Sequence, residues 1–165
     1  MKMNDMDMNS DQPSFNSNDQ VDLTGLAPAQ APAYSAGEQV TVLVDHVMGD
    51  MVMKMKGAPA TIVAGYHTRA YAVTFYTNDG SHELVTDHKW IIQREIEGQT
   101  DDSAPLADGT EITMLANHMP GMRGAKATIV SSQVSNVYIV DVAPFEGQKA
   151  MNNHRWLLQS ELKAK

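Results

Sequence analysis

The chain repeats itself, and that repetition constrains its fold more than any other feature. One copy opens G-E-Q-V-T-V-L-V-D-H at Gly37 to His46, and the other opens G-T-E-I-T-M-L-A-N-H at Gly109 to His118. Each continues with a glycine-led string, Gly57 to Val63 (G-A-P-A-T-I-V) and Gly124 to Val130 (G-A-K-A-T-I-V), and each places a tyrosine 14 residues past that glycine, at Tyr71 and Tyr138. Both close on a His-basic-Trp triplet, His88-Lys89-Trp90 and His154-Arg155-Trp156, followed by Q-x-E-[IL]. Two tandem copies of one supersecondary unit follow from this self-similarity. The stretch after the first histidine is five residues longer in the first copy, and the third connection is one residue longer there.

The repeats read as short strands. Val40, Val42 and Val44 alternate with other residue types, as do Ile112, Met114 and Ala116, which is the period of a half-buried strand. A-T-I-V, A-Y-A-V-T-F and V-Y-I-V-D-V are β-branched and aromatic runs, and Asn78-Asp79-Gly80 is a hairpin turn signal. Q-R-E-I and Q-S-E-L each suggest one helical turn. The expected fold is all-β: two tandem, small SH3-like barrel domains at residues 37–97 and 109–165, superposable and packed as a pair. Packing together matters, since a domain of about 60 residues buries only ~60% of its unfolded surface. Residues 1–36, rich in Asn, Asp, Gln, Ser and Pro without periodicity, read as a disordered linker. Residues 98–108 read as a second, weaker linker.

Composition removes several function classes. A net charge of −8 argues against nucleic acid, which calls for clustered Lys and Arg. No stretch approaches the ~20 apolar residues of a membrane span. The opening M-K-M-N-D-M-D-M lacks the apolar core of a signal peptide. Without cysteine there is no disulfide, thiolate ligand or Cys nucleophile, an absence that suits an oxidising, extracytoplasmic location. No nucleophile elbow or phosphate loop appears, and Asp45 before the first histidine becomes Asn117 in the second copy. The chain does not read as an enzyme.

Methionine is the anomaly, with twelve residues unevenly spread. Met1, Met3, Met6 and Met8 open the chain. Met48, Met51, Met53 and Met55 follow His46, while Met119 and Met122 follow His118. Thioether sulfur is soft and favours Cu(I), and imidazole serves either copper oxidation state. Period-two alternation would put Met51, Met53 and Met55 on one face of an extended segment. Met119-Pro120-Gly121-Met122 would form a turn bringing two sulfurs beside His118. Lys54, Lys56, Asp50 and Arg123 interleave as loop residues do, so a metal site at the surface is one reading. Methionine as flexible core filler or barrel cover is the other. His88 and His154 beside their tryptophans are either buried, backbone-bonded histidines or ligands completing the His46 or His118 site. His67 and His82, each in one copy only, read as surface residues, and the tyrosines and tryptophans as core. The opening methionines read equally as ligands or as a mere chain start.

The strings H-M-P-G-M-R-G-A-x-A-T-I and N-H-R-W-L-x-Q-S-E-L resemble the YdhK-like family, a domain family of unknown function. The resemblance covers residue 37 to about residue 162. It implies paired repeats in an extracytoplasmic protein, often a lipoprotein of a Gram-positive cell surface, and in some members copper binding linked to copper resistance. Carried over by position, the implied copper ligands are His118, Met119 and Met122 in the second copy, and His46 with its following methionines in the first. The first loop, D-H-V-M-G-D-M-V-M-K-M, departs from the family's short turn, which leaves open which of its methionines bind. The lipobox cysteine is missing, so a lipid anchor is implied only by the resemblance. The expected function is copper sequestration or buffering, Cu(I) preferred, with a copper-exporting transporter or another envelope protein as partner. A module binding wall polymer or a partner protein, without metal, is the alternative.

Overall fold

The structure, a computed structural model, describes residues 21–48 and 51–165. The strands are β1 (Gln39–Val42), β2 (His46–Met48), β3 (Met51–Met53), β4 (Pro59–Tyr76), β5 (Leu84–Ile92), β6 (Glu111–Thr113), β7 (Lys126–Val142), β8 (Met151–Leu158) and β9 (Leu162–Ala164). Gln93–Glu95 and Gln159–Glu161 form single 3-10 turns after β5 and β8, where the repeated Q-x-E motif suggested helical turns. The Asn78-Asp79-Gly80 signal falls in the β4–β5 connection, as its turn chemistry requires.

The chain is all-β, and its sheets are open. One seven-stranded sheet runs β6-β7-β4-β1-β9, with β5 beside β4 and β8 beside β7; β2 and β3 form a separate pair. This order is not that of two closed SH3-like barrels. The long strands β4 and β7 pair antiparallel from Ala60↔Val142 to Phe75↔Ala127. Equivalent positions of the repeats differ by 67 (124 − 57), so the pair Thr68↔Ser135, also 67 apart, lies on a pseudo-twofold axis. Both repeats share one sheet through this axis.

The cores follow from that crossing. One packs Val40, Val42, Met53, Met55 and Ile62 of the first repeat against Tyr138, Val140, Met151, Leu157 and Leu162 of the second. Another packs Tyr71, Val73, Val85 and Ile91 of the first against Ile112, Met114, Met122 and Ile129 of the second. The boundaries 37–97 and 109–165 therefore mark the sequence repeats, while each core takes the opening half of one repeat and the closing half of the other. A third cluster, with Trp90, Ile92, Trp156 and Leu158, takes Ala70, Ala72, Val137 and Ile139, which alternate along β4 and β7 with residues of the first two cores and so face the other side of the sheet. Burial of such side chains contributes about 1.5–3 kcal/mol each, and every core contains residues from both repeats.

The expected linkers are largely occupied. Residues 21–36 pack onto the shared sheet instead of standing apart as a linker. Leu26 is buried in the third cluster, Pro28 bridges Tyr66, and the Tyr34 N–H donates to Tyr138 Oη at 3.0 Å. The physical reason is the scattered apolar set Leu23, Leu26, Ala29 and Tyr34, which fits grooves on β4 and β7 without needing periodicity. Within residues 98–108, Leu106 covers the second core and its N–H donates to Tyr71 Oη at 3.1 Å. Residues 1–20, with Met1, Met3, Met6 and Met8, lie outside the described residues.

Candidate metal-binding site

Four histidines gather where the two halves meet. His46 opens β2, His88 lies in β5, His118 follows β6 and His154 lies in β8. His46, His88 and His154 are 3%, 3% and 7% exposed, and the His118 side chain is 5% exposed. They form two pairs. The His46 and His154 rings have centroids 5.9 Å apart at 44°, and those of His88 and His118 are 6.0 Å apart at 43°. Each pair takes one imidazole from each repeat: the strand histidine of one copy completes the loop histidine of the other.

Two glutamates anchor these pairs. His46 Nε2 lies 3.2 Å from Glu161 Oε2, and His118 Nε2 lies 3.0 Å from Glu95 Oε2. The indole N–H of Trp90 donates to Glu161 Oε1 at 3.0 Å, and that of Trp156 to Glu95 Oε1 at 2.9 Å. The backbone N–H groups of Leu158 and Ile92 donate to the same oxygens. The Arg155 guanidinium lies 3.5 Å from Glu95 Oε2. Burial opposes ionisation of Glu161, but its contact with His46, joined by the Leu158 and Trp90 N–H groups, outweighs it and lowers its pKa.

The strand histidines have a different environment. Both ring nitrogens of His88 and the Nε2 of His154 are buried without a hydrogen-bond partner, as is the Nδ1 of His46. Burial, reinforced by His118, His46 and His154, pushes the His88 pKa well below its usual value. Burial, with His46 and His118 adding repulsion, brings that of His154 to about 3. These imidazoles stay neutral at physiological pH and keep lone pairs, the form a metal requires. None of these nitrogens hydrogen-bonds to the backbone.

The methionines do not sit where the surface-site expectation put them. Met53, Met55 and Met122 are 3%, 0% and 0% exposed, and Met119 is half-buried against both main cores. Period-two alternation explains Met53 and Met55: they point inward while Lys54 and Lys56 face solvent. Met122 turns inward because the Met119–Met122 turn curls back, and its Sδ accepts the His118 N–H at 3.4 Å. Met48 and Met51 are register partners across the β2–β3 pair, opposite His46↔Met53; their side chains fall outside the description.

Both loops are clamped by the opposite repeat. Gln148 Oε1 accepts the Lys54 N–H at 2.8 Å, and Gln148 Nε2 donates to Val52 O at 3.3 Å. Asn78 donates from its backbone to Gly121 O at 2.9 Å and from Nδ2 to Arg123 O at 2.7 Å. Gly121, at φ +82°, lies so close that a Cβ there would stand 2.6 Å from Thr77 Cβ. Asp45 Oδ1 accepts the N–H groups of Met55 and Lys56 at 2.8 and 2.9 Å, and the Lys56 bond foremost, with that of Met55, lowers its pKa against the opposing effect of burial. Its carboxylate thus closes the first loop.

Glu95, Glu161 and the two indole N–H groups are the members that the search for ligands missed. The repeated Q-x-E motif after each His-basic-Trp triplet was their signal: an acidic residue duplicated at the end of an apolar strand. His67 is partly buried against Asn136 Oδ1 at 3.0 Å, and His82 is exposed and stacked on Tyr76.

The model of the family described as "Protein of unknown function (DUF1541)" matches residues 36–93 and 108–159. The chain belongs to this family. It is 38% identical over 141 residues to the uncharacterized protein YdhK of Bacillus subtilis (strain 168), covering 86% of this chain and 65% of that protein. It therefore spans slightly less than two thirds of that relative's length. The fold superposes on the crystal structure of the Bacillus subtilis family protein ydhK with a TM-score of 0.76 at 37% identity, covering 86% of this chain and 91% of that one. A solution structure of the ydhK C-terminal domain gives a TM-score of 0.67 at 37% identity, covering 80% and 94%. The two family matches fall one on each repeat.

Proposed function

We propose that this chain is a non-enzymatic, extracytoplasmic copper-binding protein that sequesters or buffers Cu(I) and so contributes to copper resistance. The observation that carries the reading is the pair of buried imidazole couples holding unpartnered nitrogens beside buried thioethers. Unsatisfied polar atoms in a protein interior cost about 1–3 kcal/mol each, and native proteins hold few of them. A metal ion between the rings would take one such nitrogen from each of His46, His154 and His88. Two metal–nitrogen bonds of about 2.0–2.1 Å each, plus the ring radii, match centroids near 6 Å apart.

The donor set selects the metal. Among the described residues no three His, Asp or Glu side chains group closely enough to hold an ion by themselves, so each imidazole couple needs the thioethers to complete a site. Imidazole completed by thioether suits Cu(I). His46 and His154 with methionines of the first loop would hold one ion. His88 and His118 with Met122 and Met119 would hold another. Bound copper would be shielded from solvent by the two cores, as storage requires. A lipid anchor and delivery to an exporting transporter belong to the same proposal.

Titration of the full chain with Cu(I) against a competing chelator tests it. Tight uptake of stoichiometric copper, and far weaker binding of Zn(II), are expected. Absence of copper uptake would overturn the reading and leave a metal-free envelope module.

A further inference from the structure

Glu95 and Glu161 occupy equivalent places, 0% and 8% exposed, and metal coordination as described makes no use of them. Their oxygens divide the work in the same way, except that Glu95 Oε2 also has the Arg155 guanidinium at 3.5 Å. Glu161 Oε1 accepts the Leu158 N–H at 2.9 Å and the Trp90 indole N–H at 3.0 Å, while Oε2 faces His46 Nε2. Glu95 Oε1 accepts the Ile92 N–H at 3.0 Å and the Trp156 indole N–H at 2.9 Å, while Oε2 faces His118 Nε2. Two fixed donors on each Oε1 keep the carboxylate from swinging, so Oε2 has one direction.

A carboxylate only accepts, so the nitrogen facing it carries the proton and the far nitrogen of a neutral ring carries the lone pair. For His46 that far nitrogen, Nδ1, is buried without a hydrogen-bond partner. We propose that Glu95 and Glu161 are positioning residues: each fixes the Nε2–H tautomer of the loop histidine of the opposite repeat, so that Nδ1 is presented to a soft metal ion. The carboxylates are not ligands. This deepens the copper reading and rests on it. It also explains why a charged group duplicated at the end of each repeat is buried: a histidine ligand needs its second nitrogen held, and such partners raise ligand basicity.

Amide replacement discriminates, because the fixed donors dictate which way the amide points. In Glu161→Gln, the oxygen must stay under the Leu158 and Trp90 N–H groups. The NH2 group then faces His46 Nε2 and donates to it. The ring must answer with its Nδ1–H tautomer, and the lone pair offered to the metal is lost while shape is kept. In Glu95→Gln the two donors on Oε1 likewise turn the NH2 group toward His118, and the variant also loses the contact of Oε2 with the Arg155 guanidinium at 3.5 Å.

The experiment uses the full, metal-free chain labelled with 15N-histidine, read near neutral pH by long-range 1H–15N correlation, beside competitive Cu(I) titration of the same samples. The wild type should show Nε2–H tautomers at His46 and His118. Glu161→Gln should switch His46 alone and Glu95→Gln should switch His118 alone, each weakening one copper site about 10–100-fold and sparing the other. A wild-type Nδ1–H tautomer, or a doubly protonated ring, at either histidine would overturn the proposal even if neither variant folds. Gln variants with wild-type affinity at both sites would overturn it while the copper reading stands. A wild type that takes up no Cu(I) would instead refute the copper reading, and metal presentation with it.

Discussion

His46 Nε2 lies 3.2 Å from Oε2 of Glu161, a residue 115 positions further along the chain, and His118 makes the mirror contact with Glu95. Each half of the candidate site is thus finished by the other repeat. Folding and site assembly are one event here, because the strands that build each core also deliver the histidine and glutamate to it.

The thioethers are tested by volume-conserving replacement. Met119→Leu with Met122→Leu keeps the packing of Met122, which is fully buried in the second core, at a cost of under about 1.5 kcal/mol per site. Leucine offers no lone pair. Copper stoichiometry should fall by one site with little change in melting temperature, and unchanged stoichiometry would make these methionines packing residues only.

Acid should destabilise the metal-free protein well before ordinary carboxylates titrate. His154 has its pKa lowered from 6.5 to about 3, and His88 moves the same way. In the window between the two values the unfolded chain binds more protons than the folded one, so stability falls as pH falls. The contribution is fully present above about pH 6.5 and is lost toward pH 3; the lowered pKa of Glu161 adds loss in the carboxylate range. Urea midpoints measured from pH 7.5 to 4 should decline steadily from about pH 6.5 downward. A flat profile to pH 5 would contradict the buried, neutral imidazoles.

Much of this was legible in the sequence and some could not be. The β-branched runs around Val40, Ile62 and Val140 marked where strands lie but not their length: A-T-I-V and A-Y-A-V-T-F, read as separate short strands, form the single 18-residue strand Pro59–Tyr76. The inward turn of Met53 and Met55 was also readable, since Lys54 and Lys56 alternate with them, but the lysines drew the segment toward a loop. The crossing was not readable. Because Gly57–Val63 and Gly124–Val130 are nearly the same string, a strand partner in one repeat is chemically almost as good in the other. Only the three-dimensional closure decides that His88 meets His118 and not His46. Buried Glu161 was hidden for a related reason: its partners Trp90 and His46 lie in the other repeat.

Gly65 offers a packing test. A Cβ there would stand 2.7 Å from Tyr138 Cε1, and Tyr138 cannot retreat. Its hydroxyl receives the Tyr34 N–H and donates to Gln159, and its ring packs on Tyr34 at 5.6 Å. Gly65→Ala should cost about 1–3 kcal/mol by overpacking, read as a lower denaturant midpoint with an unchanged slope. At the equivalent position of the other repeat (65 + 67 = 132) stands Ser132, opposite Tyr71, so a small side chain is accommodated there. A neutral Gly65→Ala would show that the Tyr138 ring shifts freely.

The crossed cores make a last, sharper demand on chain dissection. Residues 109–165 alone contain Ile112, Met114 and Ile129 of one core and Tyr138, Val140 and Leu157 of the other, with no partner for either set. A monomer of this fragment would leave β7 unpaired along the edge that meets β4 over most of its length. Two copies of the fragment, however, can pair β7 with β7 about the axis that Thr68 and Ser135 now occupy, and rebuild both cores from one sequence. The fragment should therefore be unfolded when dilute and fold only as a homodimer, with a melting temperature that rises with concentration. Mixing it with residues 21–97 should restore a one-to-one complex that contains both histidine pairs. Size-exclusion chromatography with light scattering, read beside far-UV circular dichroism, decides the matter. A compact, β-rich monomer of residues 109–165 would mean that a single repeat closes its own core, and the crossing would then be incidental to folding.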